Sequence, residues 1–170
     1  GTEEDGYAQV GGEGRGMLAH RNEAILGLDA EAFLLQGDNP VDGYEERHLG
    51  PFGWKTNRSA AQFSGVVMWS DGLQFWLSVA GAITPVHRER IDPRLIAWTQ
   101  PHNAFGVGPT YRLWCQYDGA WSVLTYDLNP RAKDRLFTTA AFEVPPVTVD
   151  LDGDGRVEVV AIASEGSGAL

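Results

Sequence analysis

Helical periodicity is almost absent from this chain, and that absence narrows the fold more than any other feature. Apolar residues do not recur at three- and four-residue spacing over a window long enough for an ordinary helix. Short runs rich in Val, Leu, Trp and Tyr alternate instead, and turn residues interrupt them. The clearest case is Val66-Val67-Met68-Trp69, then Ser70-Asp71-Gly72, then Leu73-Gln74-Phe75-Trp76-Leu77-Ser78-Val79. Asp-Gly between β-prone runs specifies a hairpin, because the tight turn needs backbone conformations that these two residues reach easily. A second pair runs from Tyr111 to Tyr117 and from Ala120 to Tyr126, around Asp118-Gly119. A third joins Ala24-Ile25-Leu26-Gly27-Leu28 to Ala32-Phe33-Leu34-Leu35 through Asp29-Ala30-Glu31. The last joins Val147-Thr148-Val149 to a run from Val157 to Ala163 through a Gly/Asp loop. The best helical candidate is the short segment from Asp92 to Trp98, with Asp92 as N-cap and Pro93 at the first helical position. The segment from Asn129 to Leu136 is a second candidate for a short turn.

The turn centres fall near residues 30, 71, 118 and 153. Units of roughly 40 residues made of antiparallel strands predict a propeller-like array, with a β-sandwich of hairpins as the alternative. No shift in composition marks a boundary, so residues 1–170 read as a single all-β domain with few short helical turns. Gly is 21 of 170 residues, about 12 % against an average near 7 %, which fits a chain of many tight turns. Residues 36–61 read as a long loop over one face, and residues 99–109 read similarly. The acidic, Gly-rich residues 1–15 read as a mobile lead-in. The first residue is Gly1, so the expectation is a processed or excised chain.

The charge balance excludes some partners. Lys+Arg is 13 and Asp+Glu is 23, a net charge of −10. Phosphate backbones and anionic lipid repel such a surface, so nucleic acid is not an expected partner, whereas cations are favoured. No apolar run approaches the roughly 20 residues that span a bilayer, so no transmembrane helix is expected. The lone Cys115 lies in an alternating apolar run and reads as a buried thiol in a strand. Asn57-Arg58-Ser59 fits the glycosylation sequon, a short pattern that matters only in a secreted eukaryotic protein.

One motif carries definite chemistry. Residues 150–158 read Asp150-Leu151-Asp152-Gly153-Asp154-Gly155-Arg156-Val157-Glu158. Asp at the first, third and fifth positions puts three carboxylates on one side of a curled loop, and Gly155 permits the sharp turn. The carbonyl of Arg156 can point inward, and Glu158 can add a carboxylate directly or through water. Such a set of hard oxygen donors suits Ca²⁺. Three aspartates this close also repel one another unless a cation neutralises them. The position where an EF-hand places its bidentate Glu is Ala161, and the flanks are β-branched rather than helical, so this is neither an EF-hand nor a dockerin-type loop.

The stretch from Pro146 to Val160, with its D-x-D-G-D-G core, resembles an FG-GAP/VCBS-type repeat, the integrin-α-like propeller blade. The resemblance implies a loop that joins two strands of a blade and holds Ca²⁺ through Asp150, Asp152, Asp154, the Arg156 carbonyl and Glu158. It covers only about 20 of the 170 residues. The other hairpins lack the loop. The chain ends soon after the motif, so the expectation is that strands around Met17-Leu18-Ala19 and Ala24 to Leu28 close the ring, or that another chain supplies the edge.

Of six tryptophans, Trp69, Trp76, Trp114 and Trp121 lie in the two best hairpins and read as packing residues. Trp54, beside Phe52 in the long loop, is the candidate platform for a sugar or a partner protein. His20, His48, His87 and His102 form no metal-binding or catalytic pattern and read as surface or hydrogen-bonded histidines. With no nucleophile, phosphate-loop or dinucleotide motif, the balance falls against an enzyme. The expected function is a non-catalytic binding or assembly module with a structural Ca²⁺, acting on another protein chain. The extracytoplasmic placement, secreted or periplasmic, rests on the family resemblance and on the roughly millimolar Ca²⁺ outside cells. The alternatives are a carbohydrate-binding or carbohydrate-active domain, with a glycan as partner, and a soluble accessory subunit of a membrane-bound complex.

Overall fold

The structure is a computed structural model that describes residues 12–20, 23–37, 45–86, 91–129, 138–142, 147–149 and 158–160. Its strands are β1 (Gly14–His20), β2 (Glu23–Leu28), β3 (Ala32–Gln36), β4 (Glu45–Gly50), β5 (Ala61–Phe63), β6 (Val66–Ser70) and β7 (Phe75–Val79). They continue with β8 (Ala82–Val86), β9 (Asn103–Val107), β10 (Thr110–Tyr117), β11 (Ala120–Asp127), β12 (Thr138–Phe142), β13 (Val147–Val149) and β14 (Glu158–Val160). Pairing follows chain order. Three four-stranded antiparallel sheets are up-and-down meanders, β1 to β4, β5 to β8 and β9 to β12, and β13 pairs with β14. No α-helix occurs among the described residues; Asn57–Ser59 and Pro93–Leu95 are single 3₁₀ turns.

The hairpins expected at residues 30, 71 and 118 are the central pairs of the three meanders, β2–β3, β6–β7 and β10–β11. The fourth pair is β13–β14. Asp118-Gly119 turns with φ of 47° and 79°, and Ser64-Gly65 and Ala80-Gly81 repeat that geometry at β5–β6 and β7–β8. Asp92 caps its 3₁₀ turn as expected, accepting from the Arg94 N–H at 3.0 Å.

Three expectations are corrected. The lead-in drawn to residue 15 ends sooner, because Gly14 already opens β1. The loop drawn over residues 36–61 contains β4, whose Glu45, Glu46, Arg47 and His48 are exposed. A strand at the rim of a sheet needs only backbone pairing to β3, and charge there discourages further pairing, so it carries no alternation. Likewise β9, Asn103-Ala104-Phe105-Gly106-Val107, lies inside the segment read as a loop. The turn drawn over residues 129–136 lies outside the described residues beyond Asn129.

With no helix to cover them, the sheets cover one another. All five residues of β6 are buried. Val67 and Trp69 face one side and join Ile25, Leu34, Trp54 and Ala60 in one core. Val66 and Met68 face the other and join Phe63, Phe75, Leu77, Tyr111, Leu113, Cys115 and Leu124 in the second. The middle sheet therefore lies between the other two. A strand buried on both faces loses its alternation and reads as a continuous apolar run.

Met68→Ala and Trp69→Ala test this two-sided burial. Each should destabilise by about 2–5 kcal/mol in denaturant titrations, although the residues are sequence neighbours on opposite faces. A cost within about 0.5 kcal/mol for either one, the range for surface positions, would contradict the arrangement.

Candidate functional site

In every meander the second turn and the incoming connection lie at the same end, because the first strand pairs outward from that end. The connection from β4 to β5 folds back over the first sheet. Gly53 approaches so closely that a Cβ would stand 2.3 Å from the Asp29 carbonyl oxygen. That approach lets Trp54 N–H donate to the Leu28 carbonyl at 2.8 Å, and Lys55 N–H then reaches the Ser70 carbonyl at 2.7 Å. One dipeptide thus ties the first sheet to the second. The connection from β8 to β9 docks on the third sheet through Ala97 N–H to Gln116 O at 2.9 Å and Asp118 N–H to Leu95 O at 3.0 Å.

His102 locks the two connections together. Its Nδ1 bonds the Gln100 carbonyl at 2.8 Å, so Nδ1 carries the proton. The Thr56 hydroxyl, 2.9 Å away, then donates to Nε2. The Trp98 ring stands edge-on to the imidazole at 5.3 Å, and Trp98 Nε1 donates to the Pro93 carbonyl at 3.2 Å. Burial lowers the His102 pKa from the usual 6.5; the Gln100 carbonyl opposes this, and the Arg58 charge adds to it.

Between these connections and the turns of the first two sheets lies a cavity of about 530 Å³. Trp54, Lys55 and Thr56 form one wall, Trp98 and Thr99 another, and Asp29, Asp71 and Arg15 the rest. Asp71 is held rigidly: Oδ1 accepts from Leu73 N–H at 2.7 Å and Gln74 N–H at 2.6 Å, and Oδ2 accepts from Trp76 Nε1 at 2.8 Å. Arg15 pairs with Glu13 at 3.0 Å. A second hollow of about 660 Å³ lies among the three first strands, lined by Leu18 of β1, Gln62 of β5, Asn103 and Phe105 of β9, and Arg58. The strands approach closely here: a Cβ on Gly106 would lie 2.2 Å from the Gln62 carbonyl oxygen.

Asp150, Asp152, Asp154 and Arg156 lie outside the described residues, and Glu158 opens β14 opposite Val149. Among the described residues no cluster of three or more His, Cys, Asp or Glu could hold a metal ion. Trp54 is not presented as a platform. It is 1 % exposed, and its ring lies across Gly27, where a Cβ would come within 2.0 Å of the indole. Phe52 is half-buried, with its ring edge-to-face on Trp76 at 4.8 Å. The half-buried aromatic facing the cavity is Trp98, which sequence reasoning passed over; its neighbour Thr99 begins the segment read as a long loop. Asp29 and Asp71 were legible only as turn residues.

Cys115 is buried in β10, and burial pushes its thiol up to about 12. Tyr111 is fully buried, and its hydroxyl donates to the Ser59 carbonyl at 2.8 Å. His48 is exposed and bonds Glu31 at 2.9 Å; His87 lies outside the described residues. In the sequon, Asn57 is exposed while Ser59 is fully buried and bonds the Thr56 carbonyl at 2.7 Å. No family model, curated protein or solved structure matches the chain.

Two outcomes follow from the titrating groups. Because the folded-state pKa of His102 is depressed, the unfolded chain binds the proton more readily. Its stabilising contribution is full above about pH 6.5 and is lost as the pH falls through the lower folded value. Melting temperatures measured from about pH 7.5 to about pH 5 should fall more steeply for the native chain than for His102→Gln; parallel curves would remove His102 as the cause. Cys115 should resist a thiol reagent in the folded protein at mildly alkaline pH and react promptly once the chain is denatured in guanidinium. Fast labelling of the folded chain would contradict the burial.

Proposed function

We propose that the chain is a non-catalytic binding and assembly module, built as a propeller-like array of blades, fastened by a Ca²⁺ loop between β13 and β14, and acting extracytoplasmically on another protein chain. The observation that carries the reading is the repeated meander with its first strands gathered inward. The sheets begin at residues 14, 61 and 103, and β13 begins a further pair at 147, an interval close to those before it. The first strands β1, β5 and β9 line one hollow, and the fourth strands β4 and β8 lie at the far edges of their sheets. Blades around an axis have this order. A two-layer sandwich would leave one face of each sheet in water, but the middle sheet is covered on both.

The residues fit a Ca²⁺ staple. Val149 pairs with Glu158, so the two ends of the 150–157 connection start side by side. Asp150, Asp152, Asp154, the Arg156 carbonyl and Glu158 offer hard oxygen donors of the kind this ion takes. Bound there, the ion would neutralise the loop and lend its binding free energy to folding.

Thermal melts with excess Ca²⁺ and with EGTA test the reading. Excess ligand at about a hundred times its dissociation constant stabilises by about 2.7 kcal/mol. For a domain of this size that is a rise of about 5–10 °C. Asp152→Ala should abolish the rise; a native melt indifferent to Ca²⁺ would overturn the staple.

A further inference from the structure

We infer that the cavity between the two connections binds one neutral sugar ring, the terminal or side residue of a glycan. This inference stands on the cavity alone and does not depend on the Ca²⁺ loop. Trp54 forms part of the wall, and its buried indole N–H has no hydrogen-bond partner in the structure. Leaving such a donor dry is costly, so the indole is held in this wall by its packing and not by a polar bond.

The rest of the wall selects the chemistry. Lys55 and Arg15 bring donors and Asp29 brings acceptors. Thr56 spends its proton on His102 and keeps its oxygen lone pairs free. Two cationic and two anionic side chains share the wall, and Glu13 pairs with Arg15 beside it, so no excess of positive charge favours a phosphate. An apolar ligand would strand these groups without partners. A pyranose matches both requirements: each hydroxyl can donate and accept, and its C–H face can lie on an aromatic ring. Trp98 supplies that ring. It is half-buried and held by its bond to Pro93 and its contact with His102. The volume of about 530 Å³ lies in the range of small-ligand sites and takes a single ring.

The walls are also set before any ligand arrives. Three hydrogen bonds hold the Asp71 carboxylate, the Trp54 backbone is bonded to Leu28, and Thr56 is bonded to His102. Rigid walls reduce the ordering cost that weakens binding of small polar ligands.

The test uses the full chain and a panel of glucose, galactose, mannose and their disaccharides, read by saturation-transfer NMR and by tryptophan fluorescence. At least one member should bind saturably. Lys55→Ala and Asp29→Ala change exposed side chains and should each weaken that binding by about tenfold or more without moving the melting temperature. Trp98→Ala should abolish it; because Trp98 also packs against the core, the two exposed-residue variants carry the test if that variant does not fold. Arg94→Ala, outside the cavity, should leave it unchanged. No saturable binding by any member would overturn the inference, as would binding that survives both exposed-residue variants. Binding of inorganic phosphate or glucuronate in place of the neutral sugars would overturn it as well. Repeating the titration in EGTA separates the two proposals, since loss of the Ca²⁺ effect alone leaves the sugar site standing.

Discussion

The burial of β6 on both faces organises the molecule. A sheet has two faces, and among the described residues no α-helix covers either one. The middle sheet solves the problem by lying between two others, with Val67 and Trp69 committed to one core and Met68 to the other. Apolar area removed from water is worth about 25 cal/mol per Å², and a strand buried twice contributes that term on both sides. Pairing in chain order follows from the same economy of connection, because a hairpin turn joins antiparallel neighbours without crossing the faces that must stay free to stack.

Stacking then dictates where the chain must travel between sheets. The connections from β4 to β5 and from β8 to β9 run from an exposed rim strand back to the first strand of the next sheet, over the end where the second turns lie. Those connections cannot be loose, since their backbone groups meet the turns of sheets on either side and must be satisfied there. Trp54 and Lys55 bridge two sheets with consecutive N–H groups, and Asp118 and Ala97 fix the next connection to the third. A side-chain link between connections is Thr56 to His102, and it uses the neutral imidazole that burial favours. Protonation at His102 therefore acts on the junction of all three sheets, not on one loop.

The legible part of the fold was the central hairpin of each sheet. There, β-prone apolar runs and a turn containing Asp or Gly agree. Ser64-Gly65 and Ala80-Gly81 have the same turn geometry as Asp118-Gly119 and could have been read the same way. The rim and first strands are different in kind. β4 is charged, β8 contains Pro85 and β9 contains Gly106, features set by an exposed edge or by close approach and not by a strand's own period. The Asp/Gly motif at 150–158 was legible as chemistry because its donors are adjacent in sequence. The cavity was not, because Arg15, Asp29, Lys55, Asp71 and Trp98 come from five separate segments.

Trp54 shows why residue type alone misleads at such a site. An isolated tryptophan in a Gly- and Pro-rich loop has the composition of a binding platform. Its fate is decided by Gly27, a residue in another strand with no side chain to keep the indole away. The ring falls onto that backbone, gains burial in the core with Ile25, Leu34 and Trp69, and gives up the face that a ligand would have used. Its N–H is carried inward without a protein partner, a cost the packing of a large aromatic can offset but does not remove. The same packing step that withdraws the ring as a platform therefore leaves its donor buried and unmet. Trp98, tethered at its own N–H, keeps part of its ring open on the opposite side.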